Sequence, residues 1–150
     1  MWKRHREIER QAPPAWPSEE RGARPRVLIE HPDPAAQDVL ARGLREHGYD
    51  VVTCGGPRAA GMTEVSCPLL RQEPCEAAIG ADVVVSGLSL HSTPERMIIR
   101  RLTQDARVGD LLLEASEREA VEILGPEHAE DVTAPLTVGG IVSALEQLTS

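Results

Sequence analysis

Apolar positions along this chain alternate between short continuous runs and helically spaced sets. Val27, Leu28 and Ile29 form a run of the kind found in strands buried on both faces of a parallel sheet. Asp33 followed by Pro34 is a helix-start signal, and Val39, Leu40, Gly43 and Leu44 follow at helical spacing, with Gly48 placed for a C-cap. Tyr49 to Cys54 resumes as a strand. The three-valine run within Ala81–Leu88 is the strongest strand signal and suits a central position. Ser92–Thr93–Pro94–Glu95 opens a helix to about Gln104, with Met97, Ile98, Ile99 and Leu102 on its apolar face. Asp110–Ala115 holds another strand, and Ser116 with Glu119 forms a capping box for a helix stopped at Gly125–Pro126. A short last strand ends at Pro135, and Thr137–Leu148 is a helix with Ile141, Val142, Leu145 and Leu148 facing inward.

This alternation predicts strands at 27–30, 50–54, 82–87, 110–114 and 130–134. The fold class is α/β: a doubly wound, five-stranded parallel sheet, flavodoxin-like, in the order 2-1-3-4-5. Residues 55–80 break the pattern. They form an irregular, Gly/Pro-rich crossover with a short helix over Leu69–Ile79, interrupted at Pro74.

With 150 residues, the chain divides into an α/β domain at 25–150 and a charged, Pro-containing tail at 1–24, expected to be mobile. Trp2, Ile8 and Trp16 give that tail a second reading, as a partner-docking arm. No Phe and one Tyr mean an aliphatic core. A net charge of −8 speaks against general affinity for nucleic acid or anionic lipid. No apolar run approaches membrane-spanning length, and the N-terminus lacks the apolar segment of a secretory signal. A cytoplasmic location with reduced cysteines is the expectation.

In an open α/β sheet the functional site lies at the carboxyl ends of the strands. Here these are Glu30–His31–Pro32–Asp33, Cys54, Ser86–Gly87–Leu88, Glu114–Ala115 and Ala134–Pro135. The stretch RVLIEHPDPAAQDVLARGLREHGYDVV, with ADVVVSGLSL, LLLEA and DVTAPL, resembles the response-regulator receiver (CheY-like) domain family over about residues 26–149, apart from the cysteine-bearing crossover. The resemblance implies a cation-binding acid pair after strand 1, where this chain has His31 and Pro32, with Asp33 at the place of a third acid. It implies a phospho-accepting Asp where Gly87 stands, a Ser or Thr at Glu114, and a Lys at Ala134 before Pro135. Gly87 has no nucleophile. His31–Pro32 offers a hard cation at most one imidazole, and Glu114 would repel a phosphoryl group that Ala134 cannot neutralise. Ser86 has no base arranged with it and reads as structural.

Cys54, Cys67 and Cys75 have the spacing C-x12-C-x7-C, which is not a zinc-ribbon knuckle. Their topological place, at the end of strand 2 and in the crossover beside it, allows a Cys3His zinc site or an iron–sulfur cluster with His31, or else His91, as fourth ligand. The alternatives are a redox disulfide, or free thiols that merely pack.

The expectation is therefore a non-enzymatic pseudo-receiver, a bacterial signalling and protein-interaction module not phosphorylated at an Asp in the usual way. The alternative is a metal- or redox-responsive sensor on the same scaffold. Resemblance to receivers places partner contacts at about residues 116–149, and the sequence leaves homodimerisation open.

Overall fold

A computed structural model describes residues 16–17, 22–57 and 67–149. The strands are β1 (Arg26–Glu30), β2 (Asp50–Cys54), β3 (Val83–Ser86), β4 (Asp110–Glu114) and β5 (Val132–Thr133). They form one five-stranded sheet in the order β2-β1-β3-β4-β5, every neighbouring pair parallel. The helices are α1 (Pro34–Glu46), α2 (Glu76–Ile79), α3 (Thr93–Gln104), α4 (Glu117–Leu124) and α5 (Val138–Thr149), with 3-10 turns at Pro68–Arg71 and Pro126–His128.

Alternation along the strands divides the core into two layers. Val27, Ile29, Val83, Val85 and Leu112 face α1 and α5, meeting Leu40, Leu44, Ile141 and Leu145. Leu28, Val84, Leu111 and Leu113 face the other side, meeting Ala77 and Ala78 of α2, Ile98, Ile99 and Leu102 of α3, and Ile123 and Leu124 of α4. Nearly all of this surface is aliphatic, as the shortage of aromatic residues requires. Local chemistry fixes the helix starts. Asp33 accepts a hydrogen bond from the Ala35 N–H at 3.0 Å ahead of Pro34. Both arms of the Ser116–Glu119 capping box are formed, at 3.1 and 3.0 Å.

Several expectations need correction. Val39, Met97 and Leu148 point outward, respectively 63%, 40% and 46% exposed. The stripes that meet the sheet are narrow: Leu40, Ala41 and Leu44 on α1, and Ile98, Ile99 and Leu102 on α3. The last strand contracts from 130–134 to two residues, because the preceding segment is held as a turn. There Asp131 N–H donates to the His128 carbonyl at 3.1 Å, and the Asp131 carboxylate bonds the His128 ring at 2.9 Å. The third strand is likewise shorter than 82–87, and the helix expected over Leu69–Ile79 is two pieces separated by Gln72, in the left-handed region at φ 62°, and Pro74.

Trp16, from the segment expected to be mobile, packs on the domain. Its Nε1 donates to the Ala77 carbonyl at 3.0 Å, its ring lies against Gly80, and the Arg26 guanidinium sits 5.1 Å from the ring centroid. The expectations for Trp2, Ile8 and the rest of residues 1–15 and 18–21, and for residues 58–66 of the crossover, lie outside the described residues. No helix among the described residues is long and apolar enough to cross a membrane.

Candidate functional site

The carboxyl edge of the sheet is built by β1, β3, β4 and β5 and the loops that leave them. Parallel ladder bonds carry slightly past the strands: Gly87 N–H donates to the Glu30 carbonyl at 2.7 Å, and His31 N–H to the Cys54 carbonyl at 2.9 Å. Side chains at 30 and 31 point to opposite sides, so the edge separates into two environments.

On one side His31 lies over Gly87. A Cβ built at Gly87 would come within 2.9 Å of the His31 Nε2 and 3.1 Å of its Cγ, and nearer still to Cδ2. The imidazole thus occupies the space that any side chain at position 87 would need. Its pose is fixed at the other ring nitrogen, where Asp33 N–H donates to Nδ1 at 3.0 Å. The His31 carbonyl accepts from the Gln37 side chain at 2.6 Å, tying the turn to α1. Asp33 is spent as the cap of α1, and Pro32 is exposed. The Glu114 carboxylate accepts from the Leu136 N–H at 2.8 Å, which bridges the end of β4 to the loop after β5. Ala134 and Pro135, joined by a cis peptide, are exposed in that loop.

These residues do not fit the divalent cation that the sequence resemblance implies. Such an ion needs several converging oxygens. Position 31 offers nitrogen, position 32 offers nothing, and Asp33 serves the helix. No phosphorylation step follows from this geometry.

The other side holds a group that the sequence reading overlooked. Glu30 is 2% exposed. Register places it level with Cys54 on β2 and Ser86 on β3. Desolvation by burial pushes its pKa up to about 7, opposed by a hydrogen bond with the Ser86 side chain. Its Oε1 finds no hydrogen-bond partner among the described residues. The Ser86 hydroxyl also accepts from the Leu88 N–H at 3.2 Å and is wholly buried; contrary to expectation, a carboxyl does stand beside it, because residue 30 turns to the same buried face. Alternation from Leu28 was the available signal for Glu30, since residue 30 must share the buried face of residue 28.

The three cysteines gather around this carboxyl within the same apolar layer, Cys67 and Cys75 buried and Cys54 half-buried. Burial raises the Cys54 thiol to about 12 and the Cys67 thiol to about 11, and raises Cys75 too; the nearby Glu30 charge pushes each further. All three are free thiols. The expected convergence with an imidazole is not found: no group of three or more His, Cys, Asp or Glu among the described residues is arranged to hold a metal ion. His31 is committed to Gly87 and Asp33. His91 is exposed, with its Nε2 2.6 Å from Glu119 on α4.

Comparison with known proteins bears on the scaffold. No protein-family model matches the chain. A response regulator from Desulfuromonas acetoxidans superposes with a TM-score of 0.58 at 10% identity, over 83% of this chain and 96% of that one. The fold is that of response-regulator receiver domains. A response regulator protein from Burkholderia pseudomallei, solved with a phosphorylated aspartic acid and a calcium ion, superposes with a TM-score of 0.52 at 18% identity, over 81% of this chain and 66% of that one. In sequence, the transcriptional regulatory protein AruR of Pseudomonas aeruginosa is 29% identical over 126 residues, 83% of this chain and 49% of that protein. The chain therefore spans about half the length of this curated relative.

Two outcomes follow from this geometry. Gly87→Ala is expected to destabilise the domain by about 1–3 kcal/mol, since the neighbouring ring is held and must shift. In the His31→Ala background the same change should cost far less, so urea unfolding of the four proteins of this double-mutant cycle should give a coupling of about 1 kcal/mol or more. Glu30 sets a pH dependence. Its folded pKa is raised from 4.5 to about 7, so the folded state binds the proton more tightly, and stability is full below about pH 4.5. Its contribution falls as pH rises to about 7, then stays level, by about 3 kcal/mol in all. Glu30→Gln should remove this part of the decline in chemical denaturation measured from pH 5 to pH 8.

Proposed function

We propose that this chain is a signalling module on the receiver fold that works by protein contact and not by aspartyl phosphotransfer. The observation that carries the reading is the His31 ring lying in the place of an acceptor side chain at Gly87. Phosphotransfer needs a carboxylate there, a cation held by acids, and a cation near the transferred group. His31–Pro32, Gly87 and Ala134 supply none of these. Glu114, bonded to the Leu136 N–H, puts a carboxylate beside the site and so adds repulsion for a phosphoryl group.

Similarity to a transcriptional regulatory protein supports a regulatory setting, with bacterial two-component signalling as the context. The partner is taken to be another protein, met through the surface of residues 116–149, comprising α4, β5 and α5. The Ser86 hydroxyl stands beside a carboxyl that could serve as base, Glu30, but the pair is buried away from any substrate, which favours a binding role over an enzymatic one. The thiol-sensor alternative is weaker. The cysteines are buried with raised pKa values, whereas reactive and metal-binding thiols work as thiolates.

Incubation with phosphoramidate and Mg²⁺, followed by intact-mass measurement, is the test. The expected result is unmodified protein, with hydroxylamine treatment releasing nothing. A stoichiometric acyl phosphate on any Asp or Glu would overturn the reading.

A further inference from the structure

Glu30 ends β1 on the face of the sheet that the crossover covers. Its carboxyl is buried level with Cys54 on β2 and Ser86 on β3. Cys67 and Cys75, at the N-caps of the Pro68–Arg71 turn and of α2, close over the same layer. Ser86 bonds the carboxyl, and Oε1 has no partner among the described residues. The groups facing Glu30 are therefore Ser86 from β3, Cys54 from β2, and Cys67 and Cys75 from the crossover. Burial keeps the three thiols protonated at neutral pH, and no positive side chain among the described residues acts on the carboxyl. α3, packed over the same layer, brings Ile98, Ile99 and Leu102. Glu76, next to Cys75, is exposed and adds only repulsion there.

The crossover segment above this carboxyl is lightly held. Its backbone bonds are local: Leu70 N–H donates to the Cys67 carbonyl at 3.2 Å, Gln72 to Leu69 at 3.3 Å, and Glu73 to Pro68 at 2.9 Å. Among the described residues, no hydrogen bond from 67–75 reaches the sheet. Packing of Leu69, Leu70 and the two thiols is what seats the segment, and residues 71–74 are exposed. The element that follows is anchored more firmly. Trp16 donates to the Ala77 carbonyl at 3.0 Å, and Ala77 and Ala78 are fully buried.

We propose that residues 67–75 form a proton-sensitive lid, which lifts from the sheet more readily when Glu30 is ionised and so admits water to the carboxyl, Cys67 and Cys75. An ionised carboxylate with an unpartnered oxygen is costly in an apolar layer and well solvated in water. Lifting the lid breaks no hydrogen bond to the sheet, so it hydrates the carboxylate at less cost than unfolding the domain. Linkage fixes the sign. The closed state binds the proton more tightly, since burial raises the Glu30 pKa from 4.5 to about 7. Opening is therefore rarest below about pH 4.5, grows as pH rises to about 7, and then stays level. Full hydration in the open state corresponds to a rise of about 300-fold in the open fraction over that range. The lid answers to pH alone and does not depend on how the carboxyl edge treats a phosphoryl group.

Amide hydrogen exchange of the full chain, followed by NMR from pH 5.5 to pH 8 and corrected for intrinsic rates, tests the lid. Leu70, Gln72 and Glu73 report on the segment, and Val84 and Val85 of β3 report on global unfolding. The lid amides should be at least about tenfold less protected than those of β3. Their protection should fall by about tenfold or more across this pH range. In Glu30→Gln and in Glu30→Leu the lid amides should keep one protection factor throughout. The wild-type comparison between lid and β3 stands without either variant. Two results would each overturn the proposal: lid protection that does not fall with pH, or falls equally in the variants, and lid amides that exchange only together with those of β3.

Discussion

The contact between the His31 imidazole and the bare backbone of Gly87 governs the character of the carboxyl edge. A histidine held by Asp33 N–H on one nitrogen leaves no room for a side chain opposite, and a glycine opposite makes room for the histidine. Each residue thereby makes the other tolerable. The edge is occupied at Gly87 by one ring and knitted by local bonds: Asp33 to α1, Gln37 to the turn, Glu114 to the loop after β5. Its polar groups are used in holding the loops together, which suits a fixed surface more than a chemical centre.

Behind that edge the sheet carries an unusual burden. Glu30, Cys54 and Ser86 stand side by side across three strands at the same level. One hydroxyl offsets part of the cost of burying the carboxyl, and the rest is met by raising its pKa to about 7. The thiols around it respond in the same direction, because low polarity and a nearby acid both disfavour thiolate. Burial is the larger cause for all three cysteines, and the carboxyl adds to it.

Much of the fold was legible because it depends on local chemistry. The caps at Asp33 and Ser116, the apolar runs of β1 and β3, and the single strand–helix alternation lead to one topology under the right-handed crossover rule. What failed depends on packing from a distance. Val39, Met97 and Leu148 fit a helical stripe on paper, but the sheet accepts a narrower one. The short β5 reflects turn bonds around His128 and Asp131 that spacing does not reveal. At the candidate site, the residue types His31, Pro32, Gly87 and Ala134 were readable. The occupant was not, since the direction of the His31 ring is set by contacts with Gly87 and Asp33. Glu30 was hidden because a charged residue ending a strand reads as an edge, although its alternation with Leu28 turns it inward.

The central claim is that the imidazole of His31 stands where an acceptor side chain would. Nuclear Overhauser measurements on the uniformly labelled protein address it directly. Strong cross-peaks between the His31 ring proton on Cδ2 and the Gly87 α protons, with a single set of signals for Gly87, Glu114 and Leu136, are the predicted result. A His31 ring showing cross-peaks to solvent and none to Gly87 would contradict the account.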